Sequence, residues 1–234
     1  MIQTGVVIPI RGLNGGKSRL ASRLDAGERA VLIASMANQV IHAVTESGIA
    51  GSIVVVSREA DLLQQLRVGG NRIELLHQPA QSIGLNAAIG LGRRDALNRN
   101  AERLLVLSAD LPLLTAASVA RLAREEDATD VTLVTDRAGL GTNALMLRGD
   151  VAIPRFPFHF GQESRRFHQE AAAYLNVSYL ERVIPEVALD LDTPDDWAML
   201  DDEMRQRLLI STTTLHLATF GAIGTDPVAV LERA

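Results

Sequence analysis

The sequence predicts an α/β protein: a single domain with a mixed, mostly parallel sheet flanked by helices. Three observations carry this. Strand-like and helix-like segments alternate through most of the chain, the pattern of parallel strands joined by crossover helices. Apolar residues make up 47% of the chain but aromatic ones only 3%, so Leu, Val, Ile and Ala build the core, which suits helices on a sheet better than a sandwich. Runs such as Leu105-Val106-Leu107 and Val187-Ala188-Leu189 are continuously apolar, as strands buried on both faces are.

In chain order, Thr4 to Ile10 reads as the first strand and Arg11 to Gly16 as a glycine-rich loop. Asp25 and Glu28 have capping-box spacing ahead of a long helix, Ala26 to Glu46. Ser52 to Ser57 and Arg72 to His77 are the next strands. Gly84 to about Asn98 reads as a helix despite Gly90 and Gly92. Arg103 to Ser108 is the fourth strand, and Thr115 caps a helix to about Glu126. Val131 to Thr135 and Asn143 to Arg148 follow as strands, then Gln162 to Asn176 as helix and Glu186 to Leu191 as the last strand. Thr193, Pro194 and Asp196 take the N-cap, N1 and N3 positions of a helix running to about Leu209. Residues 1–210 thus form the domain, and 211–234 form a C-terminal tail expected to pack on the body or to support a homodimer.

At 234 residues the chain can bury a full core. A net charge of −5 argues against a nucleic-acid surface. The absence of Cys excludes disulfides, thiol catalysis and thiolate metal sites. No charged leader and no long uncharged apolar stretch is visible, so the expectation is a cytoplasmic protein without membrane contact.

Two acidic signatures stand far apart: Ser108-Ala109-Asp110-Leu111-Pro112 and Asp190-Leu191-Asp192-Thr193-Pro194. Carboxylates at the carboxyl ends of parallel strands sit where open α/β sheets bind ligands. Converging there, Asp110, Asp190 and Asp192 suit Mg²⁺ held against phosphate oxygens. The competing reading makes Asp110 a turn residue and the other two helix caps. The loop Arg11-Gly12-Leu13-Asn14-Gly15-Gly16-Lys17-Ser18-Arg19 follows the first strand. Gly15 and Gly16 would let the backbone approach a phosphate, with Lys17 a point charge and Arg11 and Arg19 forked donors. Its spacing fits neither the P-loop nor G-x-G-x-x-G, and a solvated basic turn explains it equally well. Gly84-Leu85-Asn86 opens a helix, where Asn86 either reads a purine edge or caps the turn. Gly141-Thr142-Asn143 and Phe160-Gly161-Gln162-Glu163-Ser164-Arg165-Arg166 read as anion-contacting turns, with Ser164 as a helix cap the alternative. The five histidines show no metal spacing, and Trp197 reads as core.

Taken in order, these segments resemble the 2-phospho-L-lactate guanylyltransferase family of deazaflavin-cofactor biosynthesis, over Val7 to about Leu200. The resemblance rests on Ile8-Pro9-Ile10 through Leu20, Gly84-Leu85-Asn86, Ser108 to Pro112, Gly141 to Leu145, Phe160-Gly161 with Ser164 and His168, and Asp190 to Pro194. It implies a nucleotide-sugar-transferase-like (Rossmann-like) fold. The reaction it implies joins GMP from GTP to the phosphate of a three-carbon acid and releases pyrophosphate. The acceptors implied are 2-phospho-L-lactate, phosphoenolpyruvate or 3-phospho-D-glycerate. By the same resemblance Asp110, Asp190 and Asp192 hold Mg²⁺, and Lys17 and Asp110 are catalytic. Arg11, Gly15, Lys17, Arg19, Gly84, Asn86 and Asp110 bind the nucleotide, and Thr142, Gly161 and Ser164 cradle the acceptor. Arg11-Gly12 stands where the family often has Lys-Pro, Gln162-Glu163 replaces Pro-Asp or Pro-Gly, and Phe167 falls where arginine is common. These departures lie mostly on the acceptor side and favour 3-phospho-D-glycerate. The alternatives are a nucleotidyltransferase with a sugar-phosphate or molybdopterin acceptor and a non-catalytic nucleotide-binding regulator.

Overall fold

Seven strands form one sheet in the order β3-β2-β1-β4-β6-β5-β7. The computed structural model describes residues 3–12, 16–66, 73–123 and 129–210. Gly15, Arg72, the expected helix end near Glu126 and the tail from Ser211 lie outside the described residues. The strands are β1 (Thr4–Ile10), β2 (Ala50–Ser57), β3 (Ile73–His77), β4 (Arg103–Leu107), β5 (Val131–Val134), β6 (Ala144–Arg148) and β7 (Tyr179–Arg182). β1 to β4 are mutually parallel, and β5 and β7 pair in parallel. β6 alone runs antiparallel, to β4 and to β5.

Helices cover both faces, and alternate strand residues serve each. On one face Val6, Ile8, Ile53, Val55, Leu105 and Leu107 pack with α1 (Ala26–Glu46), α2 (Ala60–Gln65) and α4 (Ala116–Leu122). On the other, Val7, Val54, Val56, Leu104 and Val106 pack with α3 (Leu85–Asn98), α5 (Gly149–Arg155) and α6 (Ser164–Leu175). A Cβ at Gly92 would stand 2.4 Å from Val7 Cγ1, so this glycine lets α3 press onto β1. The predicted capping box holds: the Asp25 side chain accepts from Glu28 N–H, and Glu28 accepts from Asp25 N–H.

The structure adds two helices that the sequence reading lacked, α2 and α5, and departs from it at three places toward the C-terminal end. The expected last strand, Glu186 to Leu191, is instead a short helix α7 (Pro185–Ala188) followed by extended chain. Asn143 Nδ2 donates to the carbonyls of Val187 and Ala188, so a side chain takes the place of a ladder there. The last strand is β7, passed over because its Tyr-Leu-Glu-Arg run is a half-buried, charged edge strand. The expected helix from Thr193 to Leu209 is two helices, α8 (Pro194–Met199) and α9 (Asp202–Leu209), the second capped anew by Asp201 accepting from Met204 N–H. These helices close a smaller core of Leu20, Leu32, Met36, Leu189, Leu191 and Leu208, against which Trp197 packs. That core anchors the extended segment carrying Asp190 and Asp192.

Candidate active site

A cleft of about 860 Å³ opens at the carboxyl ends of β1, β4 and β5, lined also by the turn before β6 and the turn before α6. This is where ligands bind in open α/β sheets. It gathers Arg11, Lys17, Arg19, Asp110, Thr142, Gly161, Ser164, Asp190 and Asp192 from across the sequence.

The two acid segments are tied by backbone, Leu191 N–H donating to Asp110 O at 3.1 Å. Lys17 lies between them. It stands in the left-handed region (φ 52°) ahead of a 3₁₀ turn, Ser18–Ser22, and its side chain is 10% exposed. Its Nζ contacts Asp110 Oδ2 and Asp192 Oδ1, each at 2.5 Å. Burial alone would lower the Lys17 pKa, but the charges of Asp110 and Asp192 more than reverse this and leave it raised. Burial likewise works to raise Asp192, yet Lys17, with Arg19 and Arg11 at longer range, holds it below the usual carboxylate value. Arg11 and Arg19 are exposed on the rim.

Asp190 differs from its neighbours. Asn143 Nδ2 donates to it at 3.3 Å, while burial and the Asp110 charge push its pKa up to about 6. Among the described residues no three His, Asp or Glu side chains converge tightly enough to hold a metal ion by themselves. The expected three-acid cluster therefore takes a different form: Asp110 and Asp192 share one cation, and Asp190 stands beside them. Two carboxylates presenting hard oxygens to one point, in a cleft open to ligand, fit Mg²⁺. That ion is usually held by one or two carboxylates and completes its shell with phosphate oxygens and water.

A second part of the cleft carries a neutral hydroxyl network, with the Asp136 carboxylate, which accepts from Leu140 N–H, also in the lining. Ser164 Oγ donates to Thr142 Oγ1 at 2.9 Å, and Thr142 Oγ1 lies 3.0 Å from His168 Nδ1. Thr142, Ser164 and His168 are all buried. Gly161 precedes Ser164 at φ +134°, which favours glycine, and the helix then starts at Ser164. Glu163, not Ser164, is the N-cap. Arg165 and Arg166 do not reach the cleft: Arg165 pairs with Glu181, and Arg166 with Glu163 and Glu170.

Gly84 (φ +92°) and Asn86 stand behind the cleft rather than in its lining, where only Leu85 of that segment appears. Asn86 grips the backbone of Phe160 at both ends, Nδ2 donating to its carbonyl at 3.2 Å and Oδ1 accepting its N–H at 2.8 Å. Its amide is thus engaged by the loop, with one N–H and one carbonyl lone pair left over. Sequence reasoning counted His168 in the family resemblance but gave it no role in the site, although it lies one turn after Ser164 on the same helix face. It also passed over Asp136, which lines the cleft at the end of β5.

Residues 4–201 match the family described as guanylyl transferase CofC like. The chain belongs to this family. A phosphoenolpyruvate guanylyltransferase from Rubrobacter xylanophilus is 39% identical over 196 residues, covering 83% of this chain and 92% of the relative. By that membership the protein is a nucleotidyltransferase. Its fold is that of a proposed nucleotide-diphospho-sugar transferase from Desulfovibrio desulfuricans G20, with TM-score 0.65 at 13% identity, covering 95% of this chain and 97% of that one. A Mycobacterium tuberculosis H37Rv protein crystallised in complex with manganese shares the fold at TM-score 0.51 and 17% identity, covering 85% of this chain and 97% of that one. Among the described residues no helix is long and apolar enough to cross a membrane.

Proposed function

We propose that the protein transfers GMP from GTP to the phosphate of phosphoenolpyruvate and releases pyrophosphate. The observation that carries this reading is one cleft with a lysine–carboxylate cluster on one wall and a neutral hydroxyl network on the other. The name of the Rubrobacter xylanophilus relative favours phosphoenolpyruvate over 3-phospho-D-glycerate, the acceptor suggested by the loop departures.

An acceptor phosphate oxygen attacks the α-phosphorus of GTP, a new P–O bond forms, and the bond to the β-phosphate breaks. An ionised phosphate is already a nucleophile near neutral pH, so no general base is needed. The obstacle is repulsion between two anions, and catalysis is then positioning plus electrostatics. Asp110 and Asp192 would hold Mg²⁺ with the nucleotide, where it would neutralise phosphate charge as the pyrophosphate leaves. Lys17 would release one carboxylate to follow the triphosphate, keeping a positive charge at the breaking bond. Arg11 and Arg19 would approach the β- and γ-phosphates from the rim, and Gly15, outside the described residues, keeps its expected nucleotide-binding role. Asp190 is an auxiliary acid of the metal site. On the facing wall Thr142, Gly161 and Ser164 would cradle the acceptor's anionic end. In this reading Gly84 and Asn86 shape the guanine side indirectly, by fixing the start of α3 against the Phe160 loop.

The test is pyrophosphate release with GTP and each of phosphoenolpyruvate, 3-phospho-D-glycerate and 2-phospho-L-lactate, in Mg²⁺ and in excess chelator. The expected result is release with phosphoenolpyruvate that chelator abolishes. Release with ATP but not GTP, or with a sugar phosphate but none of these acids, overturns the reading.

A further inference from the structure

His168 is fully buried, and each ring nitrogen has one partner. The backbone N–H of His159 points at Nε2 from 3.0 Å. An amide N–H can only donate, so Nε2 carries a lone pair. A neutral imidazole has a single N–H, which must then sit on Nδ1. The surroundings keep the ring neutral: Phe156 and Phe160 pack on it with centroids at 5.8 and 5.0 Å. Burial, aided by nearby His159, pushes the His168 pKa down to about 3.

The consequence falls on Thr142. Nδ1–H donates to Thr142 Oγ1 at 3.0 Å, and Ser164 Oγ–H donates to the same oxygen at 2.9 Å. A threonine oxygen has two acceptor sites, and both are now filled. The Thr142 hydroxyl hydrogen has no acceptor among the hydrogen bonds of the described residues, and Thr142 lines the cleft. With the other tautomer the hydroxyl would turn inward to donate to Nδ1, and the cleft would lose a donor. We propose that His168 is a positioning residue: by donating from Nδ1 it makes Thr142 an obligatory hydrogen-bond donor to an anionic oxygen of the acceptor.

This rests on the cleft's being the guanylyltransferase acceptor site. A fixed donor pairs with a carboxylate or phosphate oxygen and leaves a donor-only group such as an ammonium unmatched. A single hydroxyl donor, aligned without charge, would hold the acceptor there without the tight ground-state grip of an arginine.

The experiment is steady-state kinetics of the full-length protein with GTP and phosphoenolpyruvate. His168→Leu removes the donor, and His168→Asn keeps an amide N–H near the Nδ1 position. His168→Leu should raise the acceptor KM roughly tenfold or more, the scale of one hydrogen bond to a charged group. The GTP KM should stay within about twofold, and His168→Asn should recover most of the loss. In a Thr142→Val background His168→Leu should add less than about twofold, because it acts through a hydroxyl already gone. Equal rises in both KM values, or full additivity in that background, would overturn the proposal. Competition by oxalate and by inorganic phosphate identifies the end that Thr142 holds: the inhibitor weakened by Thr142→Val marks the carboxylate or the phosphate, and weakening of neither overturns it. A readout free of activity is the long-range ¹H–¹⁵N spectrum of the wild-type imidazole at pH 7. Nδ1–H with bare Nε2 supports the proposal even if His168→Leu fails to fold, and Nε2–H sinks it. If wild type transfers GMP to no acceptor while that spectrum shows Nδ1–H, the assignment of reaction falls and the tautomer stands.

Discussion

On one wall of the cleft, Lys17, Asp110 and Asp192 bring three distant chain segments together by charge. On the other, Thr142, Ser164 and His168 join theirs through neutral hydrogen bonds with almost no exposure. The charged wall is partly open: the Asp192 side chain is 45% exposed, and its lysine can exchange carboxylate for phosphate at modest cost. The neutral wall has no such freedom, since each buried polar atom there would lose its partner on moving. One wall is built to rearrange when charge arrives, the other to hold its shape.

The comparison breaks first at the carboxylates. Asp110→Asn and Asp192→Asn should each lower turnover by about a thousandfold or more, the loss expected when a site's metal and phosphate electrostatics fail together. Thermal midpoints should stay close to wild type, because Lys17 keeps its other partner. Excess chelator should reproduce the loss in wild type. Near-normal turnover of both variants at saturating Mg²⁺ would remove the charged wall from the chemistry.

Next is the lysine. Lys17→Ala should cost about 2–4 kcal/mol in kcat/KM, the scale of one preorganised electrostatic donor. It should also leave Asp110 and Asp192 facing each other without compensation, so the Asp192 pKa should climb from its depressed value. Carboxylate titration by NMR reads this directly. Wild-type kcat/KM in the mutant would return Lys17 to the role of a solvated turn.

These charged residues were legible in the sequence because each sits in a local signature: an apolar run ending in acid and proline, or paired glycines before a lysine. The four central strands and α1 were legible for the same reason, through apolar runs and a capping box. The neutral wall was not. Nothing local marks His168 as the partner of Thr142, 26 residues away. Asn143, read as part of a turn and as the start of a strand, instead sends its side chain to the Val187 and Ala188 carbonyls, where the strand expected at Glu186 is a short helix. Asn86 looked available for a base, and its use on Phe160 is a tertiary contact 74 residues long.

The third prediction uses pH to separate the walls. His168, neutral with a folded pKa near 3, takes up a proton near pH 6.5 once unfolded. The unfolded state then binds more protons between those values, so stability falls as pH drops from about 6.5, with a limiting slope of about 1.4 kcal/mol per pH unit. Asp190, with a folded pKa near 6, acts oppositely: the folded state holds the extra proton, and stability rises as pH falls from about 6 toward its unfolded value. The two contributions offset, and the wild-type curve should be nearly flat there. Denaturant unfolding of Asp190→Asn should expose the histidine slope, whereas an equally flat curve for that variant would mean His168 is not held neutral.

The smallest effect tests what joins the walls. Asn86 leaves the start of α3 and fixes the Phe160 backbone immediately before Gly161, so it ties the start of α3 to the cleft-lining loop before α6. Asn86→Ala should cost about 1–3 kcal/mol of stability, since it leaves the largely buried Phe160 N–H and carbonyl unpaired. If Asn86 works through the loop, the acceptor KM should rise by a few-fold and the GTP KM by no more, with kcat little changed, because loosened positioning weakens binding on the rigid wall without touching the charges. Asn86→Asp separates this from base recognition. Its carboxylate can still accept from Phe160 N–H, so a loop clamp should survive in part. A purine-reading amide replaced by carboxylate would instead lose or change nucleotide preference. A GTP-specific KM defect in both variants, with acceptor KM unchanged, would show that Asn86 turns from the loop to the base when nucleotide binds.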